Sequence, residues 1–420
     1  MIHLHTHSML SLRDSIIKPD EMVERLKEIG QDTIAITDHG SSLGGVSIYK
    51  KLKENGIKYI HGCEFYICDD VKVKDKDNKY YHLVALCKNE TGRLNMNKLI
   101  TLSNRPENKY SKPRIDFEML SEYGEGLIIL SACLAGEISK AIMHGNEEKA
   151  ESIALKYKQR FGDDYFLEVQ ARVEDTQIEI NKAIEALAER LGIECVVTTD
   201  AHYTYKADKK YQNKYAFNGS YKEDGESYTD CYIQSELEVR EHLDYFDDNF
   251  IDVVIANTHK IADRCNVEIP LSAPIMPHVD TPAKYSDNKE WLMALCKDGF
   301  REKLNIDVDM QTICDTSRLD NLYTEDKIRV YIDRYHYELN SLDRMGFIDY
   351  ILLVYSYANV AKRRGIARGS GGGSLINYVT NITDIDPIEH GLYFERFIDV
   401  GALDLLESGE ITAKELKVPD

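Results

Sequence analysis

"TIAITDHG" (residues 33–40) carries a β-branched run straight into an acid, a histidine and a glycine. The join recurs along the first half of the chain. YIHGC (59–63) leads into Glu64, LIILSA (127–132) into Cys133, and CVVTT (195–199) into Asp200-Ala201-His202. With IHLHT (2–6), YHLVALC (81–87) and FLEVQ (166–170), these runs read as strands, because Val, Ile, Thr and aromatic residues suit a pleated, half-buried surface. Between several of them lie helical stretches such as PDEMVERLKEIG (19–30), with Pro19 in its first turn and Gly30 as a stop, and IEINKAIEALAERLG (178–192). Repeated strand-helix units predict a parallel sheet, and so many in succession predict a barrel. In such a barrel the carboxyl ends of the strands share one face, where catalytic groups gather.

Nine potential metal ligands fall on or near those ends: His5, His7, Asp14, His39, Glu64, His82, Cys133, Asp200 and His202. In MIHLHTHSML (1–10) the histidines alternate, so in an extended segment His3, His5 and His7 would project the same way. A single histidine at a strand end is more often a hydrogen-bonded core residue. Several independent strand ends finishing in His, Asp, Glu or Cys point instead to metal. One zinc ion needs about four ligands, so nine serve more than one ion, with carboxylates bridging. Zinc or manganese suits this imidazole and carboxylate mixture, and Cys133 favours zinc. Clustered ions imply hydrolysis of a phosphate ester by activated water, with no need for a nucleophilic Ser or Cys.

The 420 residues suffice for two or three domains, and 43% hydrophobic with 30% charged residues is ordinary for a soluble globular protein. No run of about 18 apolar residues and no charged-then-apolar leader is present, so neither a membrane span nor a signal peptide is expected, and a cytoplasmic location is the default. Nine cysteines lie scattered without CxxC pairing, which fits neither a disulfide framework nor a zinc ribbon. A net charge of −20 excludes coating of nucleic acid by bulk attraction. Any DNA contact has to use local basic patches or metal ions that offset the carboxylates.

Four of the nine prolines crowd into IPLSAPIMPHVDTP (269–282), which predicts a boundary between domains at 1–280 and 285–420. The polar, tyrosine-rich stretch 206–235 reads as a long loop or a small excursion. Helices are expected at 289–305, at 325–344 and, mostly buried, at 346–365, where the last ends in Lys362-Arg363-Arg364. ARGSGGGSLINYV (367–379) follows that basic turn. It is neither G-x-G-x-x-G nor a Walker motif, which excludes a Rossmann or P-loop reading. Its glycines permit close backbone approach, and exposed amides at a helix start favour phosphate, although glycine-serine runs are also common as flexible linkers.

HLHTHS (3–8), ITDHG (36–40), GCEFY (62–66), YYHLVALCKN (80–89), SACLAGEI (131–138) and TTDAHY (198–203) resemble the successive motifs of the polymerase-and-histidinol-phosphatase (PHP) domain. The version is the one that opens bacterial C-family replicative polymerases, the DNA polymerase III alpha subunits. The resemblance implies an α/β chain: a distorted strand-helix, (β/α)7-like barrel followed by part of a polymerase palm, itself α+β. It places the family's metal positions on the nine residues above, with His7, His39, Asp200 and His202 as catalytic residues. His3 matches a family position too but is not expected to be a ligand. Many members of the family have lost several ligands. All nine are present here, which implies a centre of up to three ions and a 3′-to-5′ exonuclease that proofreads.

Residues 342–399 are similar to the first palm block of the same family. There the Gly-Ser pair, here Gly369-Ser370, grips the triphosphate of the incoming nucleotide, helped by Arg368. Two departures stand out. The loop lacks a few residues after Gly365-Ile366 and has Ala367 where the family has glycine. An acidic insertion (400–417) leads to Val418-Pro419-Asp420, which looks like the opening of the stretch whose acids hold magnesium in the complete enzyme. Polymerisation by this chain by itself is therefore not expected, whether it is a fragment cut for expression, half of a split gene or a reduced viral or mobile-element version. The implied partners are DNA primer-template, a deoxynucleoside triphosphate, and the remaining polymerase segments or a subunit carrying them, with no membrane. The rival readings are a stand-alone PHP phosphatase acting on a small phosphomonoester and a non-catalytic, metal-stabilised DNA-binding module.

Overall fold

The strand-forming runs collect in the first of two folding units, Met1–Ile269, where they build one seven-stranded sheet; Pro270–Asp420 forms the second unit. The computed structural model describes residues 1–76, 80–216, 229–271, 275–308, 312–313, 324–367 and 369–410. The strands are β1 (Thr33–Ile36), β2 (Lys58–Cys68), β3 (Tyr81–Cys87), β4 (Arg114–Asp116), β5 (Leu127–Leu130), β6 (Tyr165–Gln170) and β7 (Cys195–Thr198). Their order is β1-β2-β3-β5-β6-β7, with β4 beside the far end of β2. This is the distorted barrel sheet with helices that the sequence implied.

It is not all parallel. β3 runs antiparallel to both of its neighbours, β2 and β5, whereas β1–β2, β2–β4, β5–β6 and β6–β7 are parallel. A parallel connection requires a crossover of a dozen or more residues, usually through a helix. The segment from 69 to 80 holds no helix among its described residues, so β2 folds back on β3 as a hairpin.

The N-terminal segment closes the ring. His3 bridges Ile34 and Thr6 bridges Ala201, both in parallel sense. The amides of Ala35 and Thr37 donate to His3 O and Thr6 O at 2.8 Å, and His7 N donates to Ala201 O at 2.9 Å. Residues 3–7 therefore lie between β1 and the end of β7. Contrary to the expected strand over residues 2–6, they make isolated bridges, and of the three histidines only His5 and His7 join one donor group, while His3 meets Thr199 and Gln234.

Inside the ring, the two-residue period of the strands sets floor against rim. Ile60 in β2, Val84 and Leu86 in β3, Phe166 in β6 and Val196 in β7 join Ile2, Leu4 and Ala35 in one fully apolar cluster. Further along the same side of the strands come Glu64, His82 and Glu168. A polar set is thus carried on an apolar base by simple alternation. The helices outside obey their local signals. Helix Pro19–Glu28 begins on Pro19 with Asp20 and Glu21 in its first turn, and helix Asp175–Leu191 stops where Gly192 takes φ 61°.

The second unit is mainly helical among its described residues. Helices Asn288–Gly299, Glu325–Arg344 and Ile348–Ala358 enclose a core that includes Leu292, Phe300, Tyr331, Leu342, Leu352 and Leu375. Met276 and Val279 of the proline-rich stretch pack on that core, so the stretch belongs with the second unit. The third helix is shorter and less buried than the sequence suggested. Only Ile348, Ile351 and Leu352 are covered, while Tyr357 is 57% exposed, because one face alone meets the core. No helix among the described residues is long and apolar enough to cross a membrane.

Leu4, fully buried in the ring floor, ties the closing segment to the sheet. Leu4→Ala is expected to cost about 3 kcal/mol of stability through lost burial and the cavity left behind, read from the urea midpoint followed by far-UV circular dichroism. A loss below about 1 kcal/mol would show that the segment does not close the barrel.

Candidate metal centre

All nine expected ligands meet at one end of the ring. His5 and His7 come from the closing segment, Asp14 from the loop after it, His39 from beyond β1, and Cys133, Asp200 and His202 from beyond β5 and β7. Two arrive differently from the simple strand-end rule. Glu64 lies within the long strand β2, and His82 sits at the amino end of β3, which faces the rim because that strand is reversed. Arg13, Ala132 and Asp200 adopt left-handed φ angles of 64°, 63° and 47°. Each is a ligand or precedes one, so backbone strain of about 1–3 kcal/mol per residue is spent on turning ligands inward.

The donors form overlapping groups: His5, His7 and Asp200; His7, Asp14, His39 and His202; His39, Glu64 and His82. Cys133 Sγ lies 3.6 Å from His82 Nδ1 and 3.9 Å from Glu64 Oε1, at the edge of the last group. Sharing of His7 and His39 makes this one connected site. Asp14 Oδ2 is 2.9 Å from both His39 Nε2 and His202 Nε2, and Asp200 Oδ1 is 3.2 Å and 3.4 Å from His5 Nε2 and His7 Nε2.

Hydrogen bonds behind the ligands assign their tautomers. His5 Nδ1 donates to the carboxylate of Glu168 at 2.8 Å, which turns Nε2 toward the centre. His7 Nδ1 donates to Ser11 Oγ at 3.1 Å, since that hydroxyl already donates to Asp38 Oδ1. His202 Nδ1 donates to Asp200 O at 2.6 Å. The Nε2 atoms of His5 and His7 then stand 3.2 Å apart.

The donor set fits divalent cations. His39 Nδ1, Glu64 Oε2 and Asp200 Oδ1 are buried without a partner in hydrogen-bond geometry, although His39 Nδ1 and Glu64 Oε2 approach to 2.8 Å. Orphaned buried polar atoms cost about 1–3 kcal/mol each unless something pairs with them, and a cation among them does so. The electrostatics agree. Burial disfavours a charged His39, yet Glu64 and Asp14 outweigh it and raise the imidazole to about 9. Burial likewise opposes charge on His5 and His202, but Asp200, Glu168 and Glu64 hold the first, and Asp14 and Asp200 the second, well above the usual range. Burial and the neighbouring carboxylates Glu64 and Asp200 push the Cys133 thiol up. The field of the site attracts positive charge, and protons stand where cations would bind.

His3 is outside the cluster. Its ring nitrogens meet Thr199 Oγ1 at 2.9 Å and Gln234 O at 3.0 Å, and burial pushes it down to about 4. Sequence reasoning passed over Glu168, Asp38 and Ser11, which orient ligands without touching the centre. The signal for Glu168 was an acid inside the apolar run FLEVQ. Cys231, not among the expected ligands, lies beside Asp200 and His202 and forms a further donor group with them.

In the second unit, the expected phosphate loop is the 3-10 turn Gly369–Gly373; Arg368 lies outside the described residues, as does the stretch 411–420 that ends in Val418-Pro419-Asp420. The amides at the following helix start are not open. Fully buried Glu338 accepts from Leu375 N at 2.9 Å, Ile376 N at 3.0 Å and Ser374 Oγ at 2.8 Å, and Arg334 holds both Glu338 and Gly373 O at 2.7 Å. An internal carboxylate has taken the place of phosphate at that helix end. Gly373 is there for packing, since a Cβ would stand 2.5 Å from Tyr393 O. Gly369, at φ 57° with open space around it, and half-buried Ser370 remain accessible beside a cavity of about 810 Å³ lined in part by Tyr350, Tyr357 and Arg364.

Residues 3–172 match the family model of the PHP domain, and residues 290–403 match that of the bacterial DNA polymerase III alpha NTPase domain. DNA polymerase III subunit alpha of Treponema pallidum is 34% identical over 415 residues, covering 95% of this chain and 33% of the relative. That of Borreliella burgdorferi is 33% identical over 413 residues (95% and 34%), and that of Aquifex aeolicus 34% over 426 (95% and 35%). The chain spans about a third of the length of these curated relatives. A solved amidohydrolase from Chromobacterium violaceum with bound sulfate is 16% identical, covering 48% of this chain and 87% of that one, at a TM-score of 0.32. The first unit is a PHP domain. Over 95% of its length the chain is similar to bacterial DNA polymerase III alpha subunits, and residues 290–403 carry the match to their NTPase domain.

Cations must displace the protons that the carboxylates retain on His5, His39 and His202. Because these imidazoles titrate above their usual range, metal affinity is expected to be weakest in acid and to climb as pH rises toward 9, by up to about tenfold per pH unit for each proton released. Competition with a chelating dye between pH 6 and pH 9 reads this; a flat profile would rule out proton displacement. Glu168→Gln, which weakens the support of His5, is expected to lower metal affinity by about 10–100-fold in the same assay.

Proposed function

We propose that the PHP unit is a 3′-to-5′ exonuclease that proofreads for a replicative C-family DNA polymerase of the cytoplasm, of which this chain is the N-terminal part. The observation that carries this reading is the convergence of eight of the nine side chains into overlapping groups, with Cys133 at their edge and buried, orphaned oxygen and nitrogen among them. Nine donors are too many for one ion and suit up to three, with zinc or manganese matching the imidazole, carboxylate and thiol mixture. Such ions supply an acidified water and offset charge on the phosphoryl oxygens. His5, His7, Asp14, His39, Glu64, His82, Cys133, Asp200 and His202 would hold them. His7 and His39 belong to two groups each, and Asp200 reaches both His5 and His7, so these residues together with His202 bear most directly on the reacting phosphate.

Residues 285–420 of the second unit are the first part of a palm on this reading. Gly369 and Ser370, with Arg368, would contact the triphosphate of a deoxynucleotide on a DNA primer-template, and magnesium would be held by acids of the remaining polymerase segments or of a subunit carrying them. The accessible turn and its neighbouring cavity support this placement.

Purified chain loaded with zinc or manganese is expected to shorten a 5′-labelled single-stranded oligonucleotide from its 3′ end, in preference to p-nitrophenyl phosphate. His7→Ala and Asp200→Ala are expected to lower the rate by at least about 100-fold. Undiminished hydrolysis in both variants would refute the assigned roles, and a preference for the phosphomonoester would favour a small-molecule phosphatase.

A further inference from the structure

We propose that Lys140 and Arg172 form a subsite at the mouth of the metal centre for a backbone phosphate of a single DNA strand, next to the phosphate under attack. The inference rests on the reading of this unit as a hydrolase of DNA ends and names how the strand is held.

A cavity of about 310 Å³ opens onto the centre. Six of the nine ligands line it, and so do two cations that ligate nothing, Lys140 and Arg172. Both reach it from neighbouring elements of the rim. Lys140 stands on helix Glu137–Met143, which follows the Cys133 turn after β5, and Arg172 lies two residues beyond the end of β6. β6 is the strand of the ring path, between β5 and β7, whose end contributes none of the nine ligands; at that place the rim presents a guanidinium.

Their settings suit an anion. Arg172 is only 8% exposed, and Glu174 grips it with two bonds, Nε to Oε2 at 3.0 Å and Nη2 to Oε1 at 2.7 Å. That pair fixes the guanidinium plane and leaves Nη1 with no hydrogen-bond partner among the described residues. Lys140 is half-buried, and its ammonium has neither an ion pair nor a hydrogen bond among the described residues. Long cations held near a cavity wall lose solvation that an anion restores, and Arg and Lys are the side chains that bind phosphate. The rest of the molecule makes such a device necessary. A chain of net charge −20 repels a DNA strand, so attraction falls to the metal ions of the centre and to local basic side chains such as these. The cations of the centre engage the phosphate at the donors. Among the residues lining this cavity, Lys140 and Arg172 are the lysine and arginine.

The test is binding of a fluorescein-labelled single-stranded oligonucleotide with phosphorothioate linkages at its 3′ end to the manganese-loaded chain, by anisotropy between 50 and 200 mM salt. Lys140→Ala and Arg172→Gln are each expected to raise Kd about tenfold, equally for two unrelated 3′ sequences, and to flatten the slope of log Kd against log salt by about 0.7. Lys140→Arg is expected to restore both. Manganese affinity should stay at the wild-type value. Unchanged Kd and slope in Lys140→Ala would overturn the subsite, and this variant decides alone if Arg172→Gln fails to fold. A parallel loss of manganese affinity would overturn it too, because the effect would then travel through the centre. If the wild-type chain binds with this salt dependence but shortens no DNA, the hydrolase reading fails while the subsite stands.

Discussion

Asp14, Glu64 and Asp200 are buried together at the end of a barrel, and the repulsion among them has to be met by positive charge. Desolvation alone would protonate such carboxylates, yet the facing imidazoles hold all three below the usual carboxylate range. Much of the surrounding structure follows from that demand. Glu168, Ser11 and the Asp200 carbonyl fix the histidine rings from behind through Nδ1, so that the Nε2 atoms turn toward the centre. Left-handed residues at Arg13, Ala132 and Asp200 bend the chain where a relaxed backbone would point the ligands elsewhere. The strain is tolerable because the apolar floor beneath, packed from every strand of the ring, does not yield.

Closure of that ring depends on a segment with no regular secondary structure of its own. Residues 3–7 lie between β1 and the end of β7 and carry two ligands into the cluster. Fold and site are therefore joined at the chain's first residues, where the same few peptides that complete the hydrogen bonding of two strands also place His5 and His7. His3, one position pair earlier, is consumed by Thr199 and Gln234 and serves the wall rather than the centre.

The second unit uses a buried charge in the opposite manner. Glu338 is satisfied completely by protein donors, and it takes up the helix-start amides that an approaching phosphate would otherwise find. Glycines there divide into two kinds. Gly373 lets one backbone pass close to another, and Gly369 permits a left-handed turn at the surface. The run GSGGG does not distinguish them, since both roles ask for the same missing side chain.

Six of the seven sheet strands, most helix positions and the candidate ligands were legible in the sequence, because alternation, β-branching and caps are local properties; β4 was missed and the expected strand at 2–6 makes only isolated bridges. His39, Cys133, Asp200 and His202 could be picked out as residues that break an apolar run at its end. The direction of β3 was not legible: it depends on the absence of a crossover between β2 and β3, and it decides that His82 enters the rim from an amino end. Nor were the supports, Glu168 behind His5 and Asp38 behind Ser11 and His7, because each acts on a residue distant in the chain or through an intermediate hydroxyl. The sequence by itself determined which side chains stand as candidate ligands. Only the tertiary structure decided which nitrogen of each histidine faces the centre and which glycine amides stay open, since both depend on what the ring brings within hydrogen-bond reach.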